Sequence, residues 1–415
     1  MTEEVTDQSA PEEGLDVSRD SPLNGPGVAP DPAWFEQAAD EPPYARHVLT
    51  TPLHLEAADE SRTNSWAEWA GYTVAQVYTS IEQEYDALRT RAGLSDISPL
   101  TKIRLSGREV VTCLDRLLTR PVGDLESNQS VRAVLCDGHG HVITEGVLFR
   151  LGDEEFRLVL RSSHMDWLMQ SALGFDVQLE DVSGTIAGLS LAGPMSDNVL
   201  ALAGLEKPAT LAKHHGAWVE LGGMPVYLSR TGMIGGREYE LWCDPADASI
   251  VWRRLLNVGQ AVGLRPIGAA VRDIARLENG VALEDVDYQS AFTALDPSEA
   301  LSPYDLCLGG CVDLDRTVFN GQSALRKIAA SGSTNALVGF ELDLADAAGV
   351  GPICNGDKQA GRITSHAWSP MLQCTIALGL VEASALGASD GFSIKTHAGE
   401  NIPAKLTKRP FLGSS

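Results

Sequence analysis

Basic residues are scarce in this chain relative to acidic ones. Its 415 residues include 32 Lys and Arg but 56 Asp and Glu, which gives a formal net charge of −24 at pH 7. A surface of this sign repels the phosphates of nucleic acids and the headgroups of acidic lipids. We therefore expect neither a nucleic acid partner nor a membrane partner.

Long apolar runs, a leader peptide and paired cysteines are lacking as well. No stretch approaches the roughly 18 apolar residues that a membrane span needs, and the first residues, MTEEVTDQSAPEEGLD, have neither a basic region nor an apolar core. The seven cysteines are odd in number and scattered, and the closest pair, Cys307 and Cys311, has no second pair at metal-site spacing. These absences predict a cytoplasmic protein without a disulfide framework or a metal site.

A nucleotide-binding pattern is also missing. No glycine-rich phosphate loop follows a predicted strand, and strands and helices are mixed without the regular alternation of a doubly wound sheet. Hydrophobic residues make up 44% of the chain, close to the globular average of about 45–50%. The pattern therefore favours a globular α+β fold.

The two ends of the chain differ in composition. Residues 1–46 are rich in Asp, Glu, Pro, Gly and Ser and poor in large apolar residues, so we expect a disordered acidic tail there. The stretch AASGSTN, which begins at Ala329, has the composition of a linker. Beyond them, short strands recur at fairly even spacing over residues 337–412, which predicts a small all-β barrel.

The segment REYELWC, residues 237–243, is typical of a strand. Alternation along it would place Glu238, Glu240 and Trp242 on one face and turn the intervening residues towards the core. Two interpretations are open for that polar face. It is either a solvent-facing surface or the wall of a pocket that carries an aromatic ring and a carboxylate.

Two arginines, Arg272 and Arg276, lie one turn apart in the predicted helix VRDIARLENG. Like charges at that spacing repel, so we expect an acidic group opposite them. That group is either a carboxylate from another segment or an anionic ligand, which Arg suits because its fork of donors is rigid.

Two glycine-containing stretches allow both a structural and a functional interpretation. GHVITEGVLFR places Thr144 and Glu145 side by side in an otherwise apolar strand, either at a solvent-facing bend of a sheet edge or at a reactive site. SRTGMIGGREYE has three glycines between two strands, with Met233 at the crest, which also suits a plain hairpin loop.

The order of these segments resembles that of the folate-dependent aminomethyltransferase family, the T-protein of the glycine cleavage system and its demethylase relatives. The resemblance covers nearly everything from about Thr50 to Leu412. NSWAEWAGY, SPLTK and VDYQSA are more similar to the demethylase-type branch than to the glycine cleavage protein. The segments that carry the resemblance are TTPLH, EYDALRTRAGLSDISPLTKIRLSG, LLTRPVGDL, GHVITEGVLFRL, LSLAGP, SRTGMIGGREYELW, RDIARLENGV, LGGCVDLDRTVFNGQSAL, HAWSPMLQCTIALGLV and KRPFL.

The resemblance implies a cloverleaf of three small domains around a channel that holds tetrahydrofolate. Residues 47–329 would form the folate-binding region of two lobes, and the barrel would form the third. In the family, a glutamate on the strand after the glycine-rich turn binds the pterin, and an arginine of the next helix lines the folate site. Those positions hold Glu240 and Arg272. Further folate contacts are expected at Met233, Trp242 and Trp368.

The resemblance also reveals departures from the family pattern. The family usually has two acidic residues where this chain has Thr144 and Glu145, and the first matters most for the chemistry of the glycine cleavage protein. A hydroxyl cannot exchange a proton near neutral pH as a carboxylate can, and such help is typically worth roughly 10²–10⁴ in rate. Pro99 and Leu100 replace a usual histidine-methionine pair. The proton donor is open between Glu145, which points the other way on an ideal strand, and His141, while Thr144 is expected to contact the donor.

These departures favour a changed substrate over lost activity. The sequence predicts a tetrahydrofolate-dependent demethylase that moves a methyl or methylene group from an N-, O- or S-linked small-molecule donor to N5 of folate. Alternatives are the glycine cleavage aminomethyltransferase itself, a non-catalytic folate-binding accessory protein, or a fold relative that has lost folate binding. A family assembly factor for iron–sulfur clusters has a cysteine where this chain has Val318, which argues against that accessory role. The donor and the oligomeric state are not set by the sequence.

Overall fold

The structure is a computed structural model of the chain. Among its described helices, none combines the length and the apolarity that a membrane crossing requires. The predicted acidic tail, residues 1–46, lies outside the described residues. The structure describes residues 48–413 except 206–207, 297–298, 344–349, 388–390 and 397–399.

Strands and short helices intermix over the first half of the described chain, which confirms the α+β prediction. In chain order, these elements are β1 (Leu49–Thr50), α1 (His54–Glu60), β2 (Ser65–Trp69), β3 (Tyr72–Val77), α2 (Ile81–Thr90), β4 (Ala92–Asp96), β5 (Thr101–Ser106), α3 (Val110–Leu117), β6 (Ser130–Cys136), β7 (Val142–Arg150), β8 (Glu155–Leu160), α4 (Met165–Ser171), β9 (Gln178–Asp181), β10 (Ala187–Ala192) and α5 (Ser196–Leu202). Helix α2 begins after Ser80, whose hydroxyl accepts a 3.3 Å hydrogen bond from the backbone N–H of Gln83.

The second half of the described chain adds three helices of 10 to 15 residues and a run of closely spaced strands. Helix α6 has Pro245 in its first turn, and the Asp244 side chain accepts a 2.8 Å hydrogen bond from the backbone N–H of Ala246. In chain order, the elements are β11 (Gly216–Leu221), β12 (Met224–Ser229), β13 (Glu238–Cys243), α6 (Pro245–Gly259), β14 (Leu264–Pro266), α7 (Ala269–Glu278), α8 (Gln322–Ser331), β15 (Asn335–Leu342), β16 (Val350–Asn355), β17 (Lys358–Ser369), β18 (Cys374–Glu382), β19 (Phe392–Thr396) and β20 (Asn401–Thr407).

A six-stranded sheet in the order β11-β12-β13-β10-β4-β14 carries the first polar cluster. Its neighbouring strands are antiparallel except for β14 and β4. One face of the sheet contributes Tyr239 and Leu241 to a hydrophobic core that includes Trp252 and Leu255 of α6. That core covers one side of β13 and leaves its other side for polar residues.

A five-stranded antiparallel sheet in the order β6-β7-β8-β5-β9 carries the second cluster. Its apolar side chains pack around Leu114 of α3 and Leu168 of α4. A register shift between Leu135 and Cys136 lies opposite the start of β7. Further apolar contacts, among them Phe149 of β7 and Tyr227 of β12, join this sheet to the six-stranded one. A smaller sheet has the order β1-β3-β2.

The C-terminal strands close into a barrel in the order β15-β18-β17-β16-β19-β20, which confirms the predicted small β-barrel. Its interior includes Phe340, Ile353, Val381 and Ile394, each fully buried. The even spacing of short apolar strands in the sequence follows from this closed arrangement, since every strand contributes inward-facing residues.

Helix α7 is connected to the barrel by a buried polar network. The Arg276 side chain donates hydrogen bonds of 2.6 Å to Asp287 and 2.9 Å to Ser365 of β17. The Asp287 carboxylate also accepts 2.6 Å hydrogen bonds from the hydroxyls of Thr364 and Ser365. The helix, the loop after it and the barrel are therefore held together by one ion pair and its hydroxyl partners.

Replacing Asp287 tests this connection. Asp287→Ala leaves Arg276, whose side chain is 4% exposed, with the half-exposed Asp273 as its remaining acidic partner among the described residues, and we expect the free energy of unfolding to fall by about 3–5 kcal/mol. Urea denaturation measures this. Glu382→Ala is the control, because its pair with Lys358 is exposed and worth at most about 1 kcal/mol. Equal losses in the two variants would contradict the assignment.

Candidate active site

A row of buried polar residues crosses one face of the six-stranded sheet. Glu240 of β13 is directly opposite Ser229 of β12 on one side and Ser190 of β10 on the other. Ser190 is in turn opposite Ser95 of β4. All four are at most 8% exposed. Because directly opposed residues of a sheet point to the same face, four strands deliver hydroxyls and a carboxylate to one side of the molecule.

The face predicted for REYELWC is confirmed by this arrangement. The residues between the polar ones pack in the hydrophobic core, whereas Glu238, Glu240 and Trp242 occupy the opposite face. These three are 5%, 8% and 1% exposed, so the solvent-facing interpretation is wrong. The strand is covered on both faces, because α6 packs on its apolar side and Arg272 of α7 contacts the polar side.

Arg272 of α7 approaches this face. Its Nη1 donates a 2.8 Å hydrogen bond to Ser95 Oγ and lies 3.8 Å from Glu238 Oε1. The charges of Glu240 and Asp96 also act on this guanidinium. The expected acidic group opposite Arg272 is therefore a carboxylate from another segment, as it is for Arg276 with Asp287.

Two buried carboxylates compete for this one arginine. Burial raises the pKa of Glu240 from an ordinary 4.5 to about 7, and the charge of Glu238 adds to this, whereas Thr231 and Arg272 oppose it. Burial raises the pKa of Glu238 as well, and Arg272 is its strongest opposing influence. Near neutral pH, Glu240 is therefore poised between its charged and uncharged forms.

Glu238 also holds the glycine-rich turn between β12 and β13. Its Oε2 accepts a 3.0 Å hydrogen bond from the backbone N–H of Ile234. Gly232 has φ of +142°, and a Cβ there would lie 1.9 Å from Glu238 Oε2, so no other residue fits. The half-buried Met233 sits in this turn, and its carbonyl accepts a 3.1 Å hydrogen bond from Asn279 Nδ2. The stretch is thus a hairpin loop whose shape depends on the polar face.

The cluster has free hydrogen-bonding capacity that suits a flat heterocycle such as the pterin of tetrahydrofolate. Trp242 Nε1 is buried and has no hydrogen-bond partner among the described residues. The hydrogen bond to Ser95 is the one donated by the Arg272 side chain within the described part of the chain. A carboxylate accepts ring N–H groups and a guanidinium donates to ring acceptors, so the residues present fit this cofactor.

A second polar cluster forms around Thr144 on β7. Its hydroxyl donates a 2.6 Å hydrogen bond to Oε2 of Glu284, and His164 Nε2 lies 2.7 Å from Oε1 of the same carboxylate. Thr144 is fully buried and Glu284 is 3% exposed. Sequence reasoning missed Glu284 and His164, since Glu284 is 140 residues from Thr144 and follows α7 in an ordinary acidic stretch.

The other predicted proton donors face different partners. Glu145 points away from Thr144, as alternation predicts, and accepts a 2.7 Å hydrogen bond from Arg132. The His141 ring lies 3.7 Å from the Asp137 carboxylate, within the turn that precedes β7. Neither side chain has a described contact with Thr144.

Trp368 is placed on barrel strand β17, 39% exposed. No hydrogen bond, ion pair or ring contact among the described residues joins it to Glu240 or Arg272. Two cavities, of about 700 and 510 Å³, also lie apart from these residues. The larger one borders the glycine-rich turn at Ile234 and Gly235. The candidate site is therefore identified by the chemistry of its side chains, since neither cavity is lined by Glu240 or Arg272.

The pKa of Glu240 makes a testable contribution to stability. The folded chain binds the Glu240 proton with a pKa of about 7, against an ordinary 4.5 in the unfolded chain. The unfolded chain ionises first as pH rises, so this group lowers the stability of the fold between about pH 4.5 and 7, by about 3 kcal/mol at most. We expect the free energy of unfolding of the wild type to fall relative to Glu240→Gln over this range. Urea titrations of both proteins measure it, and parallel pH curves would contradict it.

Family models match both regions of the chain. The GCVT N-terminal domain matches residues 55–300, and the glycine cleavage T-protein C-terminal barrel domain matches residues 335–412. The first match spans both polar clusters, and the second spans the barrel.

Similar proteins carry the same family description. An aminomethyltransferase from Desulfitobacterium hafniense is 32% identical over 76% of this chain and 85% of that protein. Another, from Saccharopolyspora erythraea, is 30% identical over 87% of this chain and 97% of that protein. The crystal structure of glycine cleavage system aminomethyltransferase T from Bartonella henselae shares the fold, with a TM-score of 0.78 at 24% identity over 88% of this chain and 98% of that one. The chain belongs to the glycine cleavage T-protein family of aminomethyltransferases, enzymes that use tetrahydrofolate for one-carbon transfer.

Proposed function

We propose that this chain transfers an aminomethyl-derived one-carbon unit from its donor to N5 of tetrahydrofolate. The observation that carries this proposal is the Glu284 carboxylate, 2.6 Å from the hydroxyl of Thr144. From sequence alone, Thr144 argued against this donor because it replaces a family carboxylate. With Glu284 beside it, the site retains a carboxylate at that place. The relatives at 30–32% identity, which are named aminomethyltransferases, also support this activity.

We propose that the polar face of β13 holds the folate. Glu240 would accept N–H groups of the pterin and Arg272 would donate to its acceptor atoms, with Met233 and Trp242 lining the same site. Bound tetrahydrofolate supplies the N5 lone pair that takes the one-carbon unit. The burial of Glu240 and Arg272 supports this role, because interactions in a water-excluded site are stronger than at the surface.

The remaining work of the protein is positioning. The donor and folate must be held in line, and well-oriented reactants gain up to about 7–11 kcal/mol over free ones. Thr144 is proposed to contact the donor, since its buried hydroxyl is fixed by Glu284. The structure gives less support to Glu145 and His141 as site residues, because their described partners are Arg132 and Asp137. The same holds for Trp368, which has no described contact with Glu240 or Arg272.

A methyl donor is the second candidate. It is favoured by two departures from the family pattern that the resemblance implies, Thr144 in place of an acid and Met233 in place of a frequent tyrosine. This is the demethylase interpretation, and it shares the folate site and the direction of transfer with the first. The two candidates differ only in the group that the donor carries.

A donor panel separates these candidates. We expect the protein and tetrahydrofolate to form 5,10-methylene-tetrahydrofolate from an S-aminomethyl thiol, with folate products identified by mass spectrometry. Formation of 5-methyl-tetrahydrofolate from methylated amines, aromatic ethers or sulfonium compounds instead would establish the demethylase. Folate binding without turnover of any donor would indicate the accessory role, and absent folate binding would overturn the proposal.

The folate site is tested by Glu240→Gln. Loss of a charged hydrogen bond is worth about 1.5–3 kcal/mol, so we expect tetrahydrofolate to bind roughly 10- to 100-fold more weakly in calorimetry without oxygen. Glu56→Gln is the control, since Glu56 is 5% exposed and its carboxylate faces Arg253 of α6. Equal affinity of both variants for folate would place the pterin elsewhere.

A further inference from the structure

We propose that Glu284 is the general base of the transfer and acts through the hydroxyl of Thr144. His164 would be the positioning residue that holds the second carboxylate oxygen. This inference rests on the proposed function, because it concerns the proton released when the one-carbon unit bonds to its acceptor nitrogen.

The geometry describes a continuous hydrogen-bonded chain. Thr144 Oγ1 donates to Glu284 Oε2 at 2.6 Å, and Glu284 Oε1 lies 2.7 Å from His164 Nε2. Thr144 is fully buried, whereas the His164 side chain is 10% exposed. The chain therefore runs from the interior to a group that reaches solvent.

The partners of Glu284 distinguish it from the ion-paired buried carboxylates of this protein. Glu278 pairs with Arg89, Asp287 with Arg276, and Glu56 with Arg253. The carboxylate oxygens of Glu284 contact a hydroxyl and an imidazole instead, with no Lys or Arg within ion-pair distance among the described residues. Hydroxyl and imidazole groups can pass a proton on, which a guanidinium cannot.

The loop that carries Glu284 is fastened on both sides. The Arg161 side chain donates a 3.0 Å hydrogen bond to the Glu284 carbonyl, and Ser162 Oγ donates a 3.1 Å hydrogen bond to Asp285. Glu284 also forms an isolated bridge with Tyr288. The carboxylate is thus held in place before any ligand binds, as a catalytic group requires.

The cluster borders the helix that carries Arg272. The charges of Arg276 and Asp273 act on the guanidinium of Arg161. Asp273 is the residue next to Arg272 in α7. The charged or titratable groups that face Glu284 are His164 and Arg161 after β8, and Asp285 and Tyr288 on its own loop. Both polar clusters therefore meet along one helix and the loop that follows it.

The proposed step is a proton transfer that accompanies the group transfer. The acceptor nitrogen forms a bond to the donor carbon, and the bond from that carbon to the donor heteroatom breaks, with its electron pair leaving on the heteroatom. The nitrogen then loses its proton to Thr144 Oγ1 as the hydroxyl proton passes to Glu284 Oε2. The leaving heteroatom takes up one proton from water, and Glu284 returns its proton to water. For an aminomethyl donor, N10 of the cofactor would then bond to the same carbon, and the amine would leave that carbon as ammonia with the N10 proton, which gives 5,10-methylene-tetrahydrofolate. No oxidant or reductant is needed.

Three variants test the relay. Glu284→Gln keeps the size of the side chain but cannot accept a proton. Thr144→Val keeps the shape but removes the hydroxyl, and Thr144→Ser retains it. We expect kcat to fall by roughly 10²–10⁴ in the first two, the usual value of general acid–base help. Thr144→Ser should exceed Thr144→Val by about tenfold or more. Glu56→Gln serves as the control for loss of a buried carboxylate.

Two further readouts separate catalysis from structure. Tetrahydrofolate affinity should stay within about twofold in Glu284→Gln, since the change lies outside the β13 cluster. In the wild type, protonation of the base should lower kcat as the pH falls. This decline should be absent in Glu284→Gln.

Several results would overturn the inference. The first two are a wild-type kcat in Glu284→Gln and equal kcat in Thr144→Val and Thr144→Ser. The others, both in Glu284→Gln, are a decline of kcat at low pH that persists and a loss of folate affinity that matches the loss of kcat. Failure of the wild-type protein to bind folate or to transfer a carbon unit would instead overturn the proposed function itself.

Discussion

A carboxylate buried in a protein interior needs a counter-charge or hydrogen-bond donors, and in this chain helix α7 and the loop after it meet that need. Arg272 lies beside Glu238 and Ser95 of the six-stranded sheet. One turn later, Arg276 pairs with Asp287 and contacts the barrel through Ser365. Because an unpaired buried charge costs several kcal/mol, these contacts set the position of the helix between the sheets and the barrel.

Four buried carboxylates differ in whether an arginine lies within ion-pair distance. Glu278 and Asp287 contact arginines and tie segments together. Glu240 and Glu284 contact hydroxyls or an imidazole instead, through Thr231, Thr144 and His164. A buried acid without a full ionic partner retains the capacity to bind a ligand or to move a proton, and such groups concentrate at functional sites. Here Glu240 lies on β13, and Glu284 lies on the loop after α7, where it contacts Thr144 of β7.

The replacement at Thr144 has a different meaning in the folded chain than in the linear sequence. A hydroxyl where relatives have an acid suggests lost proton chemistry or a changed donor. In the fold, Glu284 brings a carboxylate from the loop after α7 to within 2.6 Å of that hydroxyl. This contact favours the proposal of aminomethyl transfer over that of demethylation.

Local patterns in the sequence determined the alternating faces of β13, the start of helix α2 and the even strands of the barrel. Each depends on a repeat of two or 3.6 residues, or on a cap within four residues, and these are encoded where they act. The order of the segments also determined the family. The partners of the buried charges were decided only by the tertiary structure: Glu238 for Arg272, Asp287 for Arg276, and Glu284 for Thr144. Those side chains come from different elements, and whether they meet depends on how separate hydrophobic cores pack, which no short-range pattern records.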